Sequence, residues 1–180
     1  MSRYTADSVP RAVGGHLEST VVQLIDYRDL TPVQREKLED IQLHPEQQQY
    51  AGDVASALYL LLSSPSDQRR ALVLVVDGVP QALLLLQRGA FLPAWAQADA
   101  AVMTALQVDK RVQGRGVGRS CMQALPGRVR AMWPDVARLQ LSVDPGNHAA
   151  LGLYRTTGWV DSGHGYRARS GYEQCLTLLL

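Results

Sequence analysis

The chain has 180 residues, 46% of them hydrophobic, with 18 Lys/Arg against 17 Asp/Glu and a formal net charge of +1. That length and apolar content suffice for one domain with a full core, and no run approaches the apolar length of a transmembrane helix. Cys121 and Cys175 are too few for a disulfide framework and lack metal-ligand spacing, which argues against a disulfide-stapled domain and a zinc module. The expectation is a cytoplasmic protein with no metal site and no membrane contact.

Residues 1–19 are polar, lack the apolar stretch of a secretory signal and read as an N-terminal leader, with a single domain over 20–180. Thr20 to Tyr27, carrying Val21, Val22, Leu24 and Ile25, predicts a first strand. Thr31-Pro32-Val33-Gln34 supplies the N-cap, first-turn proline and N3 glutamine of a capping box. The helix it opens is expected to end near Leu43, before Pro45. A second helix is expected from Glu46 to Leu62, with Tyr50, Val54, Leu58 and Leu61 on one face. Ala71–Val76, Asp77-Gly78 and Val79–Leu86 form a hairpin signal with a two-residue turn, and Pro80 places a bulge or an edge near its second strand. A loop over Phe91–Asp99 leads into a strand over Ala101–Val108.

The next run, Gln113-Gly114-Arg115-Gly116-Val117-Gly118-Arg119-Ser120, opens an amphipathic segment with Val117, Cys121 and Leu125 four apart. Strand, glycine-rich turn and helix start make an anion seat, because N–H groups in the first helical turn lack intrahelical partners and the macrodipole favours negative charge. Arg111, Arg115 and Arg119 add donors suited to phosphate. A P-loop is excluded by the missing Lys. A dinucleotide fingerprint belongs on a first strand–helix unit, whereas this run begins two-thirds of the way along the chain.

Beyond it, Pro126-Gly127 predicts a kink or break in the helix. Arg138–Val143 alternates as a strand, Asn147 is a natural N-cap for a helix carrying Tyr154, and Trp159–Ser162 with Tyr172–Leu179 predict a terminal hairpin. The order is β-α-α-β-β-β-α-β-α-β-β, an α/β domain with a mixed sheet. Charge is uneven: residues 110–180 hold ten Lys/Arg against four Asp/Glu, and residues 1–109 hold eight against thirteen. A basic half around the glycine run matches a phosphate-bearing ligand. Its arginines are not interleaved with aromatics, so nucleic acid is not expected.

Gln-x-x-Gly-x-Gly, read as Gln113, Gly116 and Gly118, resembles the acyl-CoA loop of the GCN5-related N-acetyltransferases (GNAT). Leu141-Ser142-Val143-Asp144-Pro145-Gly146-Asn147, running on to Tyr154, Gly158 and Trp159, is similar to the same family's strand, Asn, short helix, Tyr, Gly, aromatic sequence. The resemblance implies a mixed, centrally splayed β-sheet flanked by helices, with acetyl-CoA (coenzyme A) as co-substrate and no metal. It implies transfer of an acetyl group to a primary amine by direct attack, with Tyr154 as general acid. A packed core Tyr is the alternative at that position.

By the same resemblance, the backbone of Leu106, Gln107 and Val108 and the residues Arg111, Gln113, Gly114, Arg115, Gly116, Val117, Gly118, Arg119, Ser120 and Asn147 hold the cofactor. Many relatives carry a Glu on the strand before the loop, where this chain reads Val102-Met103-Thr104-Ala105. That leaves His164, Glu46, Asp99 or a water chain as routes for the amine's proton. Cys121, at helical spacing between Val117 and Leu125, reads as a buried inert thiol. Pro45-Glu46-Gln47-Gln48-Gln49-Tyr50 resembles a segment of a bacterial diamine or polyamine acetyltransferase-like subgroup. With the acidic stretch between Leu38 and Gln68 it points to a small cationic amine, with Glu46 and Tyr50 as substrate contacts. A protein N-terminal or lysine acetyltransferase, and an acetyl-CoA sensor or scaffold without turnover, are the alternatives. The apolar end, Leu176 to Leu180, serves either the core or a homodimer contact.

Overall fold

A computed structural model gives the fold, and it describes residues 19–168 and 171–180, without the side chains of His164, Tyr166 and Ala168. The expected leader thus lies almost wholly outside the described residues. The first strand, β1 (Val22–Asp26), leads through a short 3-10 turn to α1 (Pro32–Leu38). The capping box forms as expected: Gln34 N–H donates to Thr31 Oγ1 at 3.2 Å and Thr31 N–H to Gln34 Oε1 at 3.0 Å. The helix stops at Leu38, short of the expected Leu43. Leu38, Ile41 and Leu43 are all buried in one cluster. A continuous helix would turn position 43 about 140° away from position 38, so the chain leaves the helix to bury both.

The expected second helix is two, α2 (Pro45–Ala51) and α3 (Val54–Ser63). Gly52 sits at φ +67°, and the Asp53 carboxylate accepts from Ser56 N–H at 2.7 Å, so a new N-cap interrupts the apolar face. Val54, Leu58 and Leu61 go into the core, whereas Tyr50 stays 43% exposed.

The predicted hairpin is β2 (Arg69–Val76) and β3 (Val79–Gln87), joined at Asp77-Gly78. Its register shifts between Leu74 and Val75, beside Pro80, where the sequence places a bulge. Then follow β4 (Ala100–Val108), α4 (Val117–Met132), β5 (Arg138–Val143), α5 (His148–Arg155), β6 (Val160–Ala168) and β7 (Gly171–Leu179). Pro126 produces no break: α4 runs on through it, held by Met122, Leu125 and Val129, each at most 1% exposed.

The strands form one sheet in the order β1-β2-β3-β4-β5-β7-β6, antiparallel except at β4–β5. Leu72, Leu74, Leu84 and Leu86 pack with α4 and α5 on one face, and Val73, Val75, Leu83 and Leu85 pack with α1 and α3 on the other. Burial on both faces explains the nearly unbroken apolar runs of β2 and β3. Leu176 lies in the core on β7, between two strands, while Leu179 is exposed. Asp26 is 2% exposed and bonds Arg70 Nε at 2.7 Å, tying β1 to β2.

Candidate active site

The parallel strands β4 and β5 pair only over Ala100–Val102 and Arg138–Gln140. Beyond Val102 they part, and the gap opens into a cavity of about 400 Å³. The parting is assisted on β4 itself. Its register with β3 shifts between Leu83 and Leu85, opposite Ala105, which adopts φ +52°. A bulge of this kind bends a strand and re-aims its backbone groups. Met103, Thr104, Ala105, Leu106 and Val108 line one wall, and Leu141, Ser142 and Val143 of β5 line the other.

The glycine run closes one end. Gly116 is the N-cap of α4 at φ +83°, a left-handed conformation that costs an L side chain, and no side chain caps the helix. The first backbone bond of the helix is Ser120 N–H to Gly116 C=O at 2.9 Å. The preceding N–H groups of Val117, Gly118 and Arg119 therefore have no intrahelical partner and edge the cavity, a ready anion seat. A Cβ on Gly118 would meet Leu153 Cδ2 at 3.1 Å, so glycine here lets α4 and α5 approach each other.

Gln113 works differently from the sequence expectation. Its Nε2 donates to Val108 C=O at 2.9 Å and to Gln47 Oε1 at 2.6 Å, while Gln47 Nε2 donates back to Gln113 Oε1 at 3.2 Å. Both amide N–H groups are spent on stapling the loop to the end of β4 and to α2. Replacing Gln113 with Ala should cost about 1 kcal/mol of stability per lost bond and weaken acetyl-CoA binding several-fold, read by thermal unfolding and titration.

Arg111 is likewise committed. It pairs with Asp109 and donates from Nη2 to Asp40 C=O at 3.0 Å. Burial alone would raise the Asp109 carboxyl, but the Arg111 guanidinium and backbone N–H hold it below the usual carboxylate range. Gln107 is 1% exposed, and its Nε2 donates to Ala51 C=O at 2.9 Å, closing the end of α2. Gln107, Arg111, Arg115, Ser120 and Glu46 are not part of the cavity wall. Gln113, Gly114, Gly116, Val117, Gly118, Arg119, Asn147 and Tyr50 are.

Asn147 caps α5 through Oδ1, accepting from Ala150 N–H at 3.3 Å, and lies on the cavity wall. Tyr154, two turns along α5, reaches the wall at the splay. It is 7% exposed, with its ring 5.9 Å from that of Trp159. Burial holds its hydroxyl well above the usual phenol range, so it stays protonated at physiological pH.

Cys121 is 1% exposed, and burial pushes its thiol from 9.0 up to about 12, so it offers no thiolate at neutral pH. The unfolded chain releases that proton near pH 9 and the native one does not. The resulting stability is complete below about pH 9 and is lost as pH rises toward 12. Denaturant midpoints at about pH 8 and about pH 10 should fall with pH, and Cys121→Ala should reduce that fall.

Gln47, Gln49 and Tyr50 of α2 also line the cavity, with the Tyr50 hydroxyl near the turn at Gly146. Two carboxylates, Asp144 and Glu173, line the wall. Asp144 lies within the motif read from the sequence but was given no site role there; Glu173 was missed, because β7 carries no motif and only its pairing with β5 brings it beside Ser142. Asp99, named as a proton route, instead pairs with Arg138 at 3.0 Å. His164 falls within β6, and its side chain lies outside the described set. Among the described residues there is no cluster of His, Cys, Asp and Glu that can hold a metal, and no helix long and apolar enough to cross a membrane.

The sheet is thus splayed between β4 and β5, with an uncapped helix N-terminus at the fork. The acetyltransferase (GNAT) family model matches residues 32–159, and the chain belongs to that family of acetyl-CoA-dependent acyltransferases. No curated protein matches the sequence. Solved structures do. The GNAT domain of a Streptomyces lividans protein, PAT, is 22% identical with a TM-score of 0.64, covering 88% of this chain and 89% of that one. The aminoglycoside acetyltransferase AAC(6')-Ib, in complex with paromomycin and acetyl-CoA, is 15% identical with a TM-score of 0.66, covering 90% and 94%. A spermidine N-acetyltransferase chimera from Vibrio cholerae and hSSAT is 17% identical with a TM-score of 0.58, covering 89% and 95%. At these identities the likeness establishes the fold, and with it the expected splayed, helix-flanked sheet.

Proposed function

We propose that this chain transfers the acetyl group of acetyl-CoA to a primary amine of a small cationic acceptor by direct attack, with Tyr154 as general acid. The observation that carries this reading is convergence. The uncapped start of α4, the end of β4 that has no β5 partner and the Tyr154 side chain all border one cavity at the strand fork. The free N–H groups of Val117, Gly118 and Arg119 hold the pyrophosphate, with the Arg119 guanidinium beside them. The β4 backbone past Val102 has no β5 partner and offers main-chain groups to an extended amide arm, beside Asn147, the cap of α5.

Acetyl transfer joins the nitrogen of the neutral acceptor amine to the acetyl carbon, breaks the C–S bond and releases a thiol. The proton shed by the nitrogen passes through water and restores the Tyr154 hydroxyl. A β4 N–H directed at the carbonyl oxygen stabilises the charge that develops there, often the largest single contribution in acyl transfer. Tyr154, kept protonated by its burial, donates to the departing sulfur. The cationic acceptor is supported by the two carboxylates on the cavity wall and by two structural relatives, whose own acceptors are an aminoglycoside and spermidine. Thiol release from acetyl-CoA against a panel of primary amines tests the reading. Turnover with a di- or polyamine or an aminoglycoside is expected. Acetyl-CoA binding without release for any amine would favour a sensor instead.

A further inference from the structure

The cavity wall carries a carboxylate with no cation beside it among the described residues. Of its two carboxylates, Asp144 is in local use: its Oδ1 accepts from Gly146 N–H at 2.7 Å and shapes the turn into Asn147. Glu173 is placed otherwise. It stands half-buried on β7 and reaches toward β5, where Ser142 Oγ donates to its Oε2 at 2.5 Å. Among the described residues, Oε1 accepts no hydrogen bond and no cation pairs with the group.

Among the described residues, the one cationic side chain on the cavity wall is Arg119 of α4, which bonds Thr156. Tyr50, from α2, covers the turn at Gly146 on the facing side. One carboxylate oxygen is therefore fixed by a hydroxyl, and among the described residues the group, on the cavity wall, has no cationic partner. A half-buried anion in that state is costly unless something positively charged completes it.

We infer that Glu173 binds an ammonium group of the acceptor, with Ser142 as the positioning residue that fixes the carboxylate. The inference rests on the acetyl-transfer reading and adds to it the side chain that selects a cationic acceptor. Ser142 donates to Oε2, Oε1 accepts from the ammonium, and the charge-assisted bond is strengthened by partial exclusion of water. The competing account is that the Ser142–Glu173 bond merely ties β5 to β7. Glu173→Gln separates the two, because the amide oxygen still accepts from Ser142 while the charge is gone. Ser142→Ala does the reverse, keeping the charge and removing the bond that orients it.

The test is steady-state kinetics of the full chain with acetyl-CoA and 1,4-diaminobutane, spermidine or kanamycin, alongside thermal unfolding of each variant. For whichever amine the wild type acetylates, Glu173→Gln should raise the amine KM at least about tenfold. The acetyl-CoA KM and the unfolding temperature should hold, and Ser142→Ala should fall between. An unchanged amine KM in Glu173→Gln overturns the inference and leaves acetyl transfer standing. So does an equal rise in both KM values, which would mean the cavity had collapsed. If the wild type releases no thiol with any of the three amines, the acetyl-transfer reading fails and the inference fails with it.

Discussion

Replacing Tyr154 with Phe is expected to lower kcat by about 10²- to 10⁴-fold, the usual contribution of a positioned general acid. The KM for acetyl-CoA should change little. Phe keeps the buried ring and its contact with Trp159, so the unfolding temperature should stay close to that of the wild type. Only the proton is removed. A packed core Tyr would give the opposite pattern, with turnover intact. The deficit should also depend on the leaving thiol: an activated thioester whose thiolate needs no proton should recover much of the lost rate. Steady-state rates on acetyl-CoA and on such a thioester check both statements.

Gly116→Asp is expected to weaken acetyl-CoA binding by about 10- to 100-fold, some 1.4 kcal/mol for each tenfold. The new carboxylate would sit where the pyrophosphate is placed, at the uncapped start of α4. A Cβ at Gly116 meets no atom within 4 Å, so the cost is charge and backbone conformation, not collision. The left-handed φ costs an L residue about 1–2 kcal/mol, while an acidic group at a helix N-terminus returns up to about 1 kcal/mol. The variant should thus stay folded while losing affinity. Gly116→Ala is the control: it pays the backbone cost without the charge and should bind better than the Asp variant. Calorimetric titration of both variants settles the comparison.

The glycine run, the Asn147 cap and the β2–β3 hairpin were legible in the sequence because each depends on neighbours in the chain, whereas Tyr154 was singled out by the family resemblance. A cap needs a residue three positions away, and a hairpin needs its turn. What was not legible depends on partners far along the chain. Leu38, Ile41 and Leu43 look like one helix until Ile41 and Leu43 must enter the same core cluster. Gln113 looks like a ligand contact until Gln47, on α2, takes its amide. Arg111 looks like a phosphate donor until Asp109 and the Asp40 carbonyl occupy it. Ser142 and Glu173 lie far apart in sequence, and only the β5–β7 pairing makes them neighbours.

Side chains satisfied by remote groups thus account for most of the differences. Backbone features account for most of the agreement. The splay is an instructive middle case. The family resemblance implies it, while the means by which this chain produces it, three paired residues on each strand and a left-handed Ala105, is visible only in the fold.

Calorimetric titration of the protein with acetyl-CoA tests the central claim most directly. Saturable binding at one site per chain, competed by coenzyme A and abolished or sharply weakened in Gly116→Asp, is the predicted result. An absence of binding by the wild type, or equal affinity in the Gly116→Asp variant, would contradict the assignment of the α4 N-terminus as the pyrophosphate seat.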